Sequence, residues 1–273
     1  MGTDNRKIRE RQDAEDFELI LQAYKFRGYD KGINGIYMRL KRMGITMNKK
    51  KIRRLCRKFG LYCPIRKANP YRRMAKAIKT NAVADNLVER RFKEYGPRQV
   101  LLTDITYIPY RGKHCYLSVI MDAYTKQVLS YVLSRSLEVD FVLETINLLF
   151  KKHGNTIPKE AYIHSDQGFH YTSIEFRKLI EDKELRQSMS RRGNCWDNAP
   201  QESFFGHMKQ ELRKYIPNWR KYSEIKRAID NWMDYYNNYR YQTSLNELSP
   251  NEYYETITME GLTKIEPKLN KCN

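Results

Sequence analysis

The chain has 273 residues, 41% of them hydrophobic, which is enough for one large or two modest packed domains and too much for a disordered polymer. No apolar run approaches the ~20 residues that cross a bilayer, and charges fill the N-terminal stretch where a secretory signal needs its apolar segment, so a soluble, cytoplasmic protein is expected. The net charge of +19 is lopsided: residues 1–100 hold 27 Lys+Arg against 10 Asp+Glu, and residues 101–273 hold 24 against 22, which predicts a polyanion gripped by the N-terminal half.

Residues 14–27 read as a helix, with Phe17, Ile20, Leu21 and Tyr24 at core-facing spacing. A second helix is expected over 34–43, carrying Ile36, Tyr37, Leu40 and Met43 and ending at Gly44 in a cap position. Asn48 suits the N-cap of a third helix running through Phe59 and closed by Gly60. There Ile52, Leu55 and Phe59 form the buried stripe, and Lys49, Lys50, Lys51, Arg53, Arg54, Arg57 and Lys58 cover the rest. Helix, glycine turn and basic helix is the pattern of a helix-turn-helix, whose second helix enters the major groove. The alternative is a helical hairpin that touches only phosphates and binds without sequence preference. Residues 63–98, with Pro64, Pro70, Pro97 and a helix expected around Asn81–Phe92, read as a basic linker lying along DNA.

From Gln99 the pattern changes to short β-branched and aromatic runs. VLLTDITYI, CYLSVIMDA, VLSYVLS, AYIHS and LRQSMS are five expected strands. Helices expected at 138–152, 172–182 and 199–214 give an α/β order around a mixed sheet. A helix at 222–239 and a short last helix from Ser249-Pro250 follow. The expected division is a helical DNA-binding region (1–62), the linker (63–98), an α/β core (99–216) and a helical extension (217–273).

Three acids stand out by their setting. Asp104 lies inside a strand, where a carboxylate must be paired, metal-bound or at a sheet edge, because an unpaired buried charge is costly. Asp166 follows a strand in HSDQG, at the end where open α/β sheets place their sites. Glu202 lies near the start of a helix with Phe204 and Phe205 on its buried side, and Lys209, seven residues on, shares its face. Carboxylates suit hard cations such as Mg²⁺, and two such ions promote in-line displacement at a phosphodiester. Among other acids, Asp122 is expected to cap a turn and Asp197 to cap a helix or support the ligands. Asp140, Glu175 and Glu211 are expected on helix surfaces. Cys56, Cys63, Cys115, Cys195 and Cys272 form no CxxC pair, so free thiols are expected.

The strings LLTDITYI, IHSDQGFHYTS, SMSRRGNCWDNAPQESFFGHMKQEL and YYNNYRYQTSLNELSPNEYY resemble the OrfB-type DDE transposases of the IS-three-like insertion sequences. The basic unit around 30–60 also resembles that family's helix-turn-helix. One departure is Leu101 and Leu102, where the family usually has an aromatic residue shortly before its first catalytic Asp. The resemblance implies an RNase H-like, integrase-type core with a mixed five-stranded sheet and flanking helices, preceded by an all-helical helix-turn-helix region. It implies that Asp104, Asp166 and Glu202 are the catalytic and metal-binding triad, served by two Mg²⁺ ions with Mn²⁺ as a substitute. It further implies that Lys209 contacts DNA, beside Lys49, Lys50, Arg53, Arg54 and Arg57 of the basic helix. The expected partners are double-stranded DNA (terminal inverted repeats and target), further copies of the chain, and an upstream-frame OrfA-type partner or fusion. The place of work would be the bacterial nucleoid.

Overall fold

The computed structural model of the protein describes residues 2–62, 84–88, 92, 94–190 and 198–269. Its N-terminal part holds α1 (Gly2–Lys25), α2 (Ile33–Arg42) and α3 (Lys49–Lys58). These three pack around Ile20, Ala23, Ile36, Leu40, Ile52, Leu55 and Cys56. Asn48 caps α3, its side chain accepting from the Lys50 backbone N–H at 2.7 Å. Gly44 takes a positive φ of 74° in the turn between α2 and α3, where a β-carbon would be strained.

Four details of this part depart from expectation. α1 begins well before residue 14. Ile20 and Ala23 are its fully buried residues, while Phe17, Leu21 and Tyr24 are half-buried. Phe59 is 38% exposed and stacks on Phe17 with ring centroids 4.5 Å apart, and Cys56 takes the buried place expected of it. Asp13 and Asp16 are buried against α3, because they neutralise its inward-leaning cations.

The second part is a five-stranded sheet in the order β3-β2-β1-β4-β5. Its strands are β1 (Val100–Tyr110), β2 (Lys113–Asp122), β3 (Val128–Ser134), β4 (Tyr162–Ser165) and β5 (Arg186–Met189). The first three form an antiparallel meander; β4 and β5 join parallel to β1. Parallel entry requires crossovers, which α4 (Asp140–His153), α5 (Phe169–Thr172) and α6 (Ile174–Asp182) supply. α7 (Ala199–Leu212), α8 (Tyr222–Tyr239) and α9 (Pro250–Leu269) complete the chain.

The strand period of two divides the core into two layers. Leu101, Ile120, Leu129 and Ile163 face α4 and α6, meeting Val142, Ile146, Leu149 and Phe176. Val100, Leu102, Ile108, Leu117, Val119 and Met121 face α7 and α8, meeting Phe204, Phe205, Met208, Trp232 and Tyr236. This is the mixed RNase H-like arrangement that the sequence predicts.

The structure corrects several other expectations. Ala84–Val88, within the helix expected at Asn81–Phe92, is not helical. The Asp85 carbonyl accepts from the Met189 backbone N–H (3.1 Å), and the Leu87 N–H donates to Ser188 Oγ (3.0 Å). An edge strand offers unpaired backbone groups, and covering β5 outweighs local helix propensity. The helix expected at 172–182 is split at Ser173, which is extended and caps α6 by accepting from the Phe176 N–H. The last helix is 20 residues long and not short. Glu211 is buried, accepting from Trp232 Nε1 at 2.9 Å and pairing with Arg240 Nε at 3.0 Å. Asp122, as expected, caps a turn: its carboxylate accepts from the backbone N–H groups of Arg98, Tyr124 and Thr125 and from the Thr125 hydroxyl. Asp197, Cys63, Cys195, Cys272, Pro64 and Pro70 lie outside the described residues. Cys56 and Cys115 are buried thiols outside any disulfide. Among the described residues no helix is long and apolar enough to cross a membrane.

Candidate active site

Strand pairing sets the first two acids. Val100 pairs with Tyr162 and Leu102 with His164 across β1 and β4. Asp104 and Asp166 each lie two residues past the Leu102–His164 pair, and Asp104, inside β1, points to the same side of the sheet as Leu102, because side-chain direction repeats every second residue. That side is the α7/α8 layer, since Val100, Leu102 and Ile108 all pack there.

Asp104 is half-buried, and its Oδ1 accepts from the Ile105 N–H at 2.7 Å. Burial pushes its carboxyl up to about 8, with the negative charges of Asp166 and Glu202 adding to the shift and Lys209 opposing it. Asp104 therefore feels both other acids and the lysine. Asp166, past the end of β4, is exposed, and its Oδ1 accepts from the Gly168 N–H at 2.9 Å. A β-carbon on Gly168 would sit 2.9 Å from that same oxygen, so the glycine permits the turn that presents the acid.

Glu202 stands half-buried in the first turn of α7, whose second residue is Pro200. Its neighbour Gln201 is fully buried and donates from Nε2 to the Val119 carbonyl at 3.2 Å. Lys209 is exposed two turns further along α7.

The floor of the site is polar and ordered. Thr103 Oγ1 and the Tyr171 hydroxyl lie 3.4 Å apart. Burial, then Asp104 and Asp166, hold the Tyr171 phenol well above its ordinary value. His164, buried in β4, has its two ring nitrogens 3.0 Å from Ser188 Oγ and 3.1 Å from Ser190 Oγ, which locks β4 to β5 just before Asp166.

The donor chemistry, carboxylate oxygens alone, fits a hard divalent cation. Among the described residues no three His, Cys, Asp or Glu side chains stand close enough together to grip one ion. Burial first, and then the charges of Asp166 and Glu202, disfavour the ionised form of Asp104, which a divalent cation would favour.

Sequence reasoning named the acids and Lys209 but missed Gln201, His164 and Tyr171. A polar residue at a core-facing position is their only local signal, and which partner satisfies it depends on strands distant in the chain.

On the basic helix, Lys50, Arg53 and Arg57 are exposed and share an open groove with Arg54 and Lys58. Arg54 is forked onto Asp13 at 2.8 and 2.7 Å, and Lys58 reaches the same carboxylate at 2.7 Å. These two cations hold Asp13 far below the usual carboxylate range. Lys49 lies 4.5 Å from the centre of the Tyr37 ring.

Residues 94–195 match the integrase core domain family, residues 183–250 a second model of the integrase core domain, and residues 10–69 an HTH-like domain. The putative transposase InsK for insertion sequence element IS150 of Escherichia coli K12 is 34% identical over 223 residues, covering 81% of this chain and 76% of that protein. The chain belongs to the insertion-sequence transposases. The IS600 31 kDa protein of Shigella sonnei is 31% identical, with 90% of this chain and 89% of that protein covered. Among solved structures, the catalytic core domain of HTLV-2 integrase in complex with magnesium is similar at 20% identity and a TM-score of 0.43, over 56% of this chain and 94% of that one. The integrase core domain matches and the transposase relatives make this transposase a polynucleotidyl transferase acting in DNA transposition and integration.

Proposed function

We propose that the transposase cuts DNA strands at the ends of its element and joins them through Asp104, Asp166 and Glu202, which together hold two Mg²⁺ ions. The observation that supports this reading is that Asp104 and Asp166 each lie two residues past the Leu102–His164 pair of β1 and β4, while Asp166, Glu202 and Lys209 all act electrostatically on Asp104. When bound, such ions polarise the scissile phosphate and favour ionisation of the attacking hydroxyl; Mn²⁺ offers the same chemistry.

The residues divide the remaining work. Asp104, between the other two acids, must give up its proton before it serves as a ligand. Gly168 and the turn after β4 aim Asp166. Lys209 places a positive charge beside the phosphate. In cleavage, water forms a P–O bond as the bond to the 3′ oxygen breaks, leaving a 3′-hydroxyl. In joining, that hydroxyl attacks a second phosphodiester in line and one P–O bond replaces another. Neither step needs a covalent protein–DNA intermediate. Lys49, Lys50, Arg53, Arg54 and Arg57 bind the terminal repeats, and two ends require at least a dimer.

The test uses labelled element ends with Mg²⁺. The wild-type protein yields joined products, whereas Asp104→Asn loses both cleavage and joining and still binds the ends. Strand transfer by that variant would refute the assignment, and cleavage by wild type without joining would mark a nuclease.

A further inference from the structure

We infer that Gln201 is a positioning residue that sets the height of Glu202 against Asp104, an inference that rests on the triad reading above. Asn198, at the N-cap position of α7, makes no capping hydrogen bond. Phe204, Phe205 and Met208 anchor the helix through apolar contact, which is non-directional and tolerates sliding along the sheet. A buried directional contact runs from Gln201 Nε2 to the Val119 carbonyl at 3.2 Å. Val119 is the residue paired with Asp104 across β1 and β2. One hydrogen bond therefore links the residue preceding Glu202 to the residue facing Asp104.

The chemistry of the position argues that this link is more than packing. Gln201 is 0% exposed, and its Oε1 is buried without a hydrogen-bond partner. The amide nitrogen points to the Val119 carbonyl, and the amide oxygen is left unsatisfied. Burying an unsatisfied oxygen destabilises a fold, and an apolar side chain of the same length would avoid that penalty. A residue chosen for stability alone would be Met or Leu. Sites that break a local packing rule in this way are where function is expected to reside.

The experiment compares full-length wild type with Gln201→Met. Expected are an equal or higher Tm, unchanged binding to element ends, and faster amide hydrogen exchange over residues 199–206 in metal-free protein. Strand transfer at limiting Mg²⁺ should fall by about ten- to hundredfold, the usual scale for losing a residue that orients a metal ligand, and should recover as Mg²⁺ is raised. Wild-type exchange and wild-type Mg²⁺ dependence in Gln201→Met would overturn the inference. Should that variant lose Tm, Gln201→His decides: its ring N–H can return a donor to the same carbonyl. Recovery of the Mg²⁺ dependence supports the inference, and failure to recover sinks it. Glu202→Gln separates the two layers of argument. If it still transfers strands, the triad reading fails; if it is inactive while Gln201→Met behaves as wild type, only the positioning role fails.

Discussion

Asp104 combines two demands that oppose each other. As the proposed metal ligand it must be ionised, yet burial and two neighbouring acids raise its value from 3.8 to about 8. Between these values the folded protein binds a proton that the unfolded chain has released, so stability falls as pH rises across that window. Without metal, Asp104→Asn should therefore melt at a higher temperature than wild type at pH 8, and the gap should close near pH 4. Calorimetry at both pH values checks this, and equal melting at pH 8 would contradict it. The same shift makes activity at limiting Mg²⁺ rise from pH 6 through about 8, because ion and proton compete for one carboxylate. Saturating Mg²⁺ should displace that rise to lower pH. A pH–rate profile taken at two Mg²⁺ concentrations measures it.

Among the helices, α3 shows how one basic surface divides its work. Arg54 and Lys58 reach inward to Asp13, and Lys51 to Asp16, tying α3 to α1. Lys50, Arg53 and Arg57 face the open groove. Alanine at Arg53 or Arg57 should weaken binding to element ends, lower the salt slope by about one for each phosphate left without its cation, and leave Tm unchanged. Arg54→Ala should lower Tm as well, since it leaves Asp13 short of its forked partner. Fluorescence anisotropy over a salt series, beside thermal melts, distinguishes the two groups. An Arg53→Ala variant with reduced Tm would place that side chain in the fold and not on DNA.

Across the whole molecule, the helical N-terminal unit docks on the catalytic core by two kinds of contact. Surface ion pairs join Lys41 to Glu247 (2.9 Å), Arg42 to Glu252 (3.0 Å) and Lys214 to Asp30 (3.0 Å). Each such exposed pair contributes at most about 1 kcal/mol and is screened by salt. Tyr29, in contrast, is 7% exposed inside the α7/α8 cluster, its ring 4.6 Å from that of Tyr235. Lys31 closes the same corner, its Nζ donating to the carbonyls of Tyr24, Phe26 and Tyr29. Removing a buried aromatic typically costs about 3 to 5 kcal/mol, so the apolar contact outweighs the ion pairs. Wild type should keep its radius of gyration in ~1 M salt, where the ion pairs are screened. Tyr29→Ala should expand under the same conditions, and X-ray scattering reads the difference. A wild-type protein that opens in salt would show that charge holds the units together.

Local pattern carried much of this molecule. β-branched and aromatic runs marked the first three strands most strongly, apolar spacing marked α2 to α4 and α8, and Asn48 announced its own cap, because each of these signals is complete within a few residues. Asp104 and Asp166 stand out in the sequence for the same reason: an acid among strand formers, or beside a turn glycine, is anomalous where it stands, whereas Glu202 was singled out by its place near a helix start. What the chain alone determined was the list of elements, the excess of positive charge at one end, and the acids out of place. Tertiary structure alone decided their pairings: that residues 84–88 extend along β5, that Glu211 lies buried against Trp232 and Arg240, and that Gln201 reaches the strand facing Asp104. Those outcomes depend on groups separated by tens of residues or more, and only the assembled sheet brings their partners within hydrogen-bond range.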